Sequence, residues 1–133
     1  MPNIRGMMAY EPQRPLSGLS VLVVHADPYE LDSLLAALEA AGAIVVGVRT
    51  VDSAIGYAAA TRFDTILVDV DLAGSVLREL RGSRLPTVSA PVFAVIGEGR
   101  DDRAGEPGFS GYFHWPRDRD AVVATLAALL RRT

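Results

Sequence analysis

The chain of 133 residues contains no cysteine and no lysine. Without cysteine it has no disulfides, no thiolate zinc site and no cysteine nucleophile. This fits a reducing compartment, and we expect a cytoplasmic protein. All 13 cationic residues are arginines, set against 16 Asp and Glu, so the formal net charge is −3. Because nucleic-acid binding needs a basic surface, nucleic acid is not an expected partner.

Long apolar runs are also missing. No run reaches the ~18 residues that a membrane span needs, and the N-terminal segment lacks the apolar centre of a signal peptide. Residues 1–18 hold three prolines and two glycines without periodicity, which predicts a flexible tail. One ordered domain is predicted over residues 19–133.

Several catalytic motifs are absent. The turn HADPYE after the first apolar run has no glycine, which excludes a dinucleotide-binding turn, and no P-loop sequence is present. Gly74, Ser75 and Val76 do not form a serine elbow. His25 and His114 are the only histidines, which is too few for a clustered zinc site. We do not expect an enzyme.

Apolar β-branched runs alternate with helical segments along the chain. Strands are predicted at 21–24, 44–48, 65–70, 91–96 and 111–114, and helices at 28–41, 51–60, 75–81 and 118–131. Residues 97–108 carry four glycines, one proline and six charges, which predicts a shortened fourth helix. The alternation is typical of βαβ units. It predicts a flavodoxin-like, doubly wound α/β fold, in which a five-stranded parallel sheet lies between two helical layers.

Ligand sites of such sheets form at the carboxyl ends of the strands. The side chains predicted there are His25, Ala26, Asp27, Asp69, Asp71, Ile96, Trp115 and Pro116. The acids among them are the only chemically active cluster that the pattern indicates.

Four fragments in this order resemble receiver domains of bacterial response regulators, the CheY-like family of two-component (phosphorelay) signalling. They are VLVVHADP, FDTILVDVDLAG, PVFAVI and GFSGYFHWP, and the resemblance spans residues 19–132. It implies that Asp69 is the phosphoacceptor for a histidine kinase. In this family an acid pair after the first strand holds Mg²⁺, and a hydroxyl and a lysine bind the phosphoryl group.

This sequence departs from the family at those positions. The acid pair is replaced by His25 and Ala26, the hydroxyl by Ile96 and the lysine by Trp115, so only Asp69 matches. Loss of one electrostatic donor typically costs ~10²–10³ in rate. The resemblance therefore predicts an atypical, degenerate receiver.

The remaining acids predict little metal affinity. Asp69 and Asp27 are the candidate Mg²⁺ ligands, both weak, because Asp27 before Pro28 is also the expected N-cap of the first helix. Asp71 adds a nearby carboxylate. We expect that no cofactor is required.

Three aromatic and proline positions complete the predicted pocket. Trp115 is expected to pack over it as a plug. Pro116 is expected to follow a cis peptide bond, as in the family. Tyr112 matches the family's switching aromatic but lacks a hydroxyl partner at Ile96, so a fixed core role is predicted.

The last helix predicts an interaction surface. One stripe should face the sheet: Val122, Val123, Leu126, Leu129 and Leu130. The opposite side consists of small, mostly apolar residues, namely Ala121, Ala124, Thr125 and Ala128. A helix that is apolar all round is often covered on both sides, and a solvated alanine face is the alternative.

The favoured hypothesis is a protein–protein interaction module that works without phosphorylation. Its partner would be a histidine kinase, a downstream signalling protein or a second copy. The alternatives are a phosphorylated receiver using Asp69, and a receiver-like N-terminal domain of a larger localisation or ATPase protein.

Overall fold

The computed structural model describes residues 14–83, 90–97 and 108–131. Within these ranges strands and helices alternate. The strands are β1 (Ser20–Val24), β2 (Ile44–Val48), β3 (Thr65–Asp69), β4 (Val92–Ile96) and β5 (Gly111–His114). The helices are α1 (Pro28–Ala40), α2 (Val51–Ala60), α3 (Val70–Arg81) and α4 (Arg119–Arg131).

The five strands form one sheet in the order β2-β1-β3-β4-β5, and every pairing is parallel. The chain first steps outward from β1 to β2 and then crosses to β3 on the other side. The order therefore reverses next to β1, and the carboxyl ends of β1 and β3 border the crevice where such sheets bind ligands. The predicted doubly wound parallel sheet is confirmed.

Two apolar clusters lie on the two faces of the sheet. One joins β1, β3, β4 and β5 to α1 and α4, and its centre includes Leu34, Leu67 and Leu126. The other joins the sheet to α2 and α3, and its centre includes Ile66 and Leu80. This arrangement confirms the predicted three layers.

Helix α3 begins earlier than predicted. It starts at Val70, directly after β3, rather than at residue 75. The reason is local, because the Asp69 carboxylate accepts the Asp71 N–H and so caps the helix at the last residue of the strand. No connecting loop separates β3 from α3.

The ordered domain also begins earlier than residue 19. Leu16 is fully buried, and its N–H donates to the Ala41 carbonyl oxygen at 2.8 Å. The predicted tail of residues 1–18 is therefore wrong for residues 14–18, because an apolar side chain between Pro15 and Ser17 fills the end of the α1 layer. The rest of that predicted tail, and residues 98–107 of the shortened fourth helix, lie outside the described residues.

No helix in the described ranges has the length and apolar character required to cross a membrane.

Candidate functional site

His25 and Asp69 face each other at the carboxyl ends of β1 and β3. His25 Nδ1 lies 3.8 Å from Asp69 Oδ2, and their side chains are only 9% and 13% exposed. The Asp27 N–H donates to the same Nδ1 at 3.1 Å. Nδ1 is therefore an acceptor in this arrangement, which assigns the ring hydrogen to Nε2. In this arrangement His25 does not donate to the carboxylate.

Asp69 has a structural role at the start of α3. Its Oδ1 accepts the Asp71 N–H at 3.4 Å, and its backbone has the non-helical angles φ −50° and ψ 132°. The partial positive charge of a helix N-terminus stabilises a carboxylate placed there. The residue predicted to be the phosphoacceptor is therefore also the N-cap of α3. Asp71 itself is exposed in the first turn of that helix.

Asp27 is likewise committed to a helix. Its Oδ1 accepts the Tyr29 N–H at 2.9 Å and the Glu30 N–H at 3.4 Å, and Pro28 occupies the first turn of α1. The predicted N-cap is confirmed. The cap engages one of the two oxygens with which Asp27 would bind a metal ion.

Replacing Asp27 separates its role as a helix cap from any effect of its charge. We expect Asp27→Ala to lower the free energy of unfolding by about 1 kcal/mol, the usual cost of losing an N-cap. Asp27→Asn should be nearly neutral, because asparagine caps as well as aspartate does. Urea unfolding followed by circular dichroism measures both changes. Equal destabilisation by the two substitutions would show that the charge, and not the cap, is what matters.

An arginine that the sequence analysis did not single out also borders the site. Arg49 Nε and Nη2 donate to the Ala26 carbonyl oxygen at 3.2 and 3.0 Å. Arg49 is the first residue after β2, so the topology places it at the carboxyl ends of the strands, beside the site. Its guanidinium brings positive charge to the loop that carries the acid pair in receiver domains, and this charge disfavours a metal cation there.

The positions of the family's hydroxyl and lysine are buried and apolar. Ile96 has no exposed surface and belongs to the α2–α3 cluster. Trp115 is 2% exposed and belongs to the α1–α4 cluster. Its indole Nε1 donates to Ser33 Oγ on α1 at 3.0 Å. Trp115 thus packs beneath α1, whereas the sequence predicts a plug over the pocket.

The turn after β5 matches expectation at Pro116, and the aromatic residue Tyr112 lies within β5 itself. The Trp115–Pro116 peptide bond is cis. Tyr112 is half-buried, and its ring meets Phe109 edge to face with centroids 5.7 Å apart. Beyond the turn, Asp118 accepts the His114 N–H at 2.7 Å, and this bond is the main reason that the pKa of Asp118 is lowered from 3.8.

The residues at the carboxyl ends of β1 and β3 do not fit a magnesium ion. In the described ranges no group of three or more His, Asp and Glu is arranged to hold a metal. Asp27 and Asp69 each cap a helix, and Arg49 reaches the same loop. Mg²⁺ prefers several oxygen ligands in octahedral geometry, and this set offers few of them.

The predicted interaction surface lies on α4. Val122 and Leu126 are buried against the sheet, as the apolar stripe predicts. On the opposite side Ala121 and Ala124 are exposed, and Thr125 and Ala128 are half-buried. The structure leaves this face of α4 open within the described residues.

No protein-family model and no curated protein matches the chain, but solved structures do. A CheY-like response regulator receiver domain from Methylobacillus flagellatus has a TM-score of 0.72 at 18% identity, over 84% of this chain and 98% of that one. The receiver domain of a sensor histidine kinase from Pseudomonas aeruginosa, solved with a magnesium ion in its active site cleft, has a TM-score of 0.71 at 23% identity, over 86% and 98%. A chemotaxis response regulator from Vibrio cholerae has a TM-score of 0.71 at 20% identity, over 84% and 98%.

These similarities define the class of fold. The chain has the fold of CheY-like receiver domains, and its own strand order is β2-β1-β3-β4-β5.

Proposed function

We propose that this chain is a receiver-like module of two-component signalling that works through protein contacts, without phosphorylation of Asp69. The observation that carries the proposal is the state of the phosphoryl pocket. Asp69 is engaged as a helix cap beside the imidazole of His25, whose Nδ1 accepts a backbone N–H, and the positions of the hydroxyl and the lysine are the buried Ile96 and Trp115.

The electrostatics support this proposal. Phosphoryl transfer to a carboxylate builds up negative charge on the phosphoryl oxygens, which a metal ion and positive donors must stabilise. His25 turns an accepting nitrogen toward Asp69, and the indole of Trp115 donates to Ser33 instead of to the pocket. Several such donors lost together make the transfer slow on a signalling timescale.

The proposal includes the partner and the location. The module is cytoplasmic, is not an enzyme and requires no cofactor. It binds a histidine kinase, a downstream signalling protein or a second copy through the outer face of α4. The exposed Ala121 and Ala124 support this surface, because they allow a partner helix to approach closely.

The test is phosphorylation by a small-molecule donor. We expect acetyl phosphate with Mg²⁺ to add no phosphoryl group to Asp69, as measured by the mass of the intact protein, and beryllofluoride with Mg²⁺ to leave the amide NMR spectrum unchanged. Asp69→Asn is the matched control. A Mg²⁺-dependent mass increase that disappears in Asp69→Asn would overturn the proposal.

That outcome would support the second candidate, a phosphorylated receiver. One observation favours it: Asp69 stands at the carboxyl end of β3, next to the crevice at β1, and 13% of its side chain is exposed. The Pseudomonas receiver domain with its magnesium ion shows that this fold supports a metal-bound site in another chain.

A further inference from the structure

Strand β2 forms one edge of the sheet, and in the part of the chain that the structure describes no strand lies on its outer side. On its inner side, the Ile44 N–H donates to the Leu19 carbonyl oxygen at 2.8 Å. At its other end the Val48 carbonyl oxygen accepts the His25 N–H at 3.0 Å. The two end residues of β2 therefore turn their backbone groups toward β1.

The backbone groups of successive residues point to alternate sides of a strand. Val46 therefore also faces β1, whereas the N–H and C=O groups of Val45 and Gly47 point outward. Two donors and two acceptors thus project from the edge in the spacing of a strand. A neighbouring strand is the structure that satisfies such a row of groups.

This edge lacks the usual protection against pairing. Natural edge strands carry charges, prolines or bulges, but β2 has the sequence IVVGV, pairs with β1 in unbroken register, and leaves Ile44 64% exposed. The opposite edge strand, β5, is shorter, and the N–H of its last residue, His114, donates to the Asp118 carboxylate at 2.7 Å. The two edge strands therefore differ, and β2 is the one whose length, regular register and lack of charge suit pairing with a further strand.

We propose that β2 pairs with β2 of a second copy of this chain, antiparallel, about a two-fold axis at Val46. Val45 of each copy then lies opposite Gly47 of the other. Each of these two pairs exchanges both of its N–H···O=C bonds, which satisfies all the outward groups. Two-fold dimers are the commonest homo-oligomers, and here the two five-stranded sheets become continuous.

The side chains of β2, and the charged residue that follows it, fit the same register. Ile44 of one copy comes opposite Val48 of the other on the α2 side of the sheet, which places two β-branched side chains in a cross-strand pair. The nearest charge along the chain is Arg49, and the Arg49 residues of the two copies lie at opposite ends of the paired strands, about 20 Å apart at ~3.3 Å per residue. Like charges are thus kept apart. The pairing does not involve Asp69, so it stands independently of the proposed function.

Light scattering on the full chain over a range of concentrations tests the pairing. We expect a species of twice the mass of one chain. Val45→Pro removes an outward N–H but no bond to β1, as prolines in edge strands do, and Ile44→Lys puts a charge on the edge. Each should weaken dimerisation by about tenfold or more, because the two-fold axis doubles every loss.

Two matched variants should leave the dimer intact. Val45→Thr keeps the N–H, and Tyr57→Lys adds the same charge at an exposed position of α2. In the unmodified chain, hydrogen exchange at the Val45 and Gly47 amides should slow as concentration rises, and this readout does not depend on any variant folding. A chain that stays monomeric, or a dimer that survives both Val45→Pro and Ile44→Lys, would overturn the proposal.

Discussion

Trp115→Ala is expected to lower the free energy of unfolding by about 3–5 kcal/mol, the usual cost of truncating a buried aromatic side chain. Trp115 is 2% exposed within the α1–α4 cluster, and its removal leaves a cavity and breaks the bond to the Ser33 hydroxyl. Since small domains have a total stability of about 5–15 kcal/mol, the loss is a large fraction. Urea unfolding must be followed by circular dichroism, because the variant has no tryptophan.

Ser33→Ala is the matched control for Trp115. It removes only the hydrogen bond to the indole, so it should cost about 1 kcal/mol. If Trp115→Ala destabilised the protein no more than Ser33→Ala does, the indole would contribute little packing, and its assignment to the core would be wrong.

The second large effect is expected from His25→Asp. It places a carboxylate beside Asp69 in a largely buried site, since the two side chains are 9% and 13% exposed. An uncompensated buried charge costs about 3 kcal/mol or more, so the melting temperature should fall. Mg²⁺ should then restore part of the loss by binding the folded state, whereas the unsubstituted protein should not respond to Mg²⁺.

His25→Asn is the control, since it changes the size of the side chain without adding charge. Its melting temperature should be independent of Mg²⁺. Identical melting curves for His25→Asp and His25→Asn, with and without Mg²⁺, would show that the carboxylates at positions 25 and 69 do not interact.

Much of the fold could be predicted from local patterns. The run Val21–Val24 is apolar at every position, as expected for a strand covered on both faces, and Asp27 with Pro28 marks the start of α1. The start of α3 was missed because Val70 reads equally well as the end of a strand or the start of a helix. The capping bond from Asp69 decides between them, and that bond depends on tertiary position. Leu16 was missed because one apolar residue beside a proline carries no periodicity.

The site was predicted less completely than the fold. Sequence position alone placed His25 and Asp69 near each other, since each lies at the carboxyl end of a buried strand. It could not show which atom of His25 holds a hydrogen, because the Asp27 N–H decides that. Nor could it show that Trp115 turns toward α1, because Ser33 is 82 residues away along the chain.

The cap that Asp69 provides for α3 affects how its substitutions should be interpreted. Asparagine holds a helix N-terminus about as well as aspartate, whereas alanine does not. Asp69→Asn therefore changes the charge and largely preserves the junction between strand and helix. Asp69→Ala changes both, so a phenotype seen only with alanine would report a loosened α3 rather than a lost chemical group.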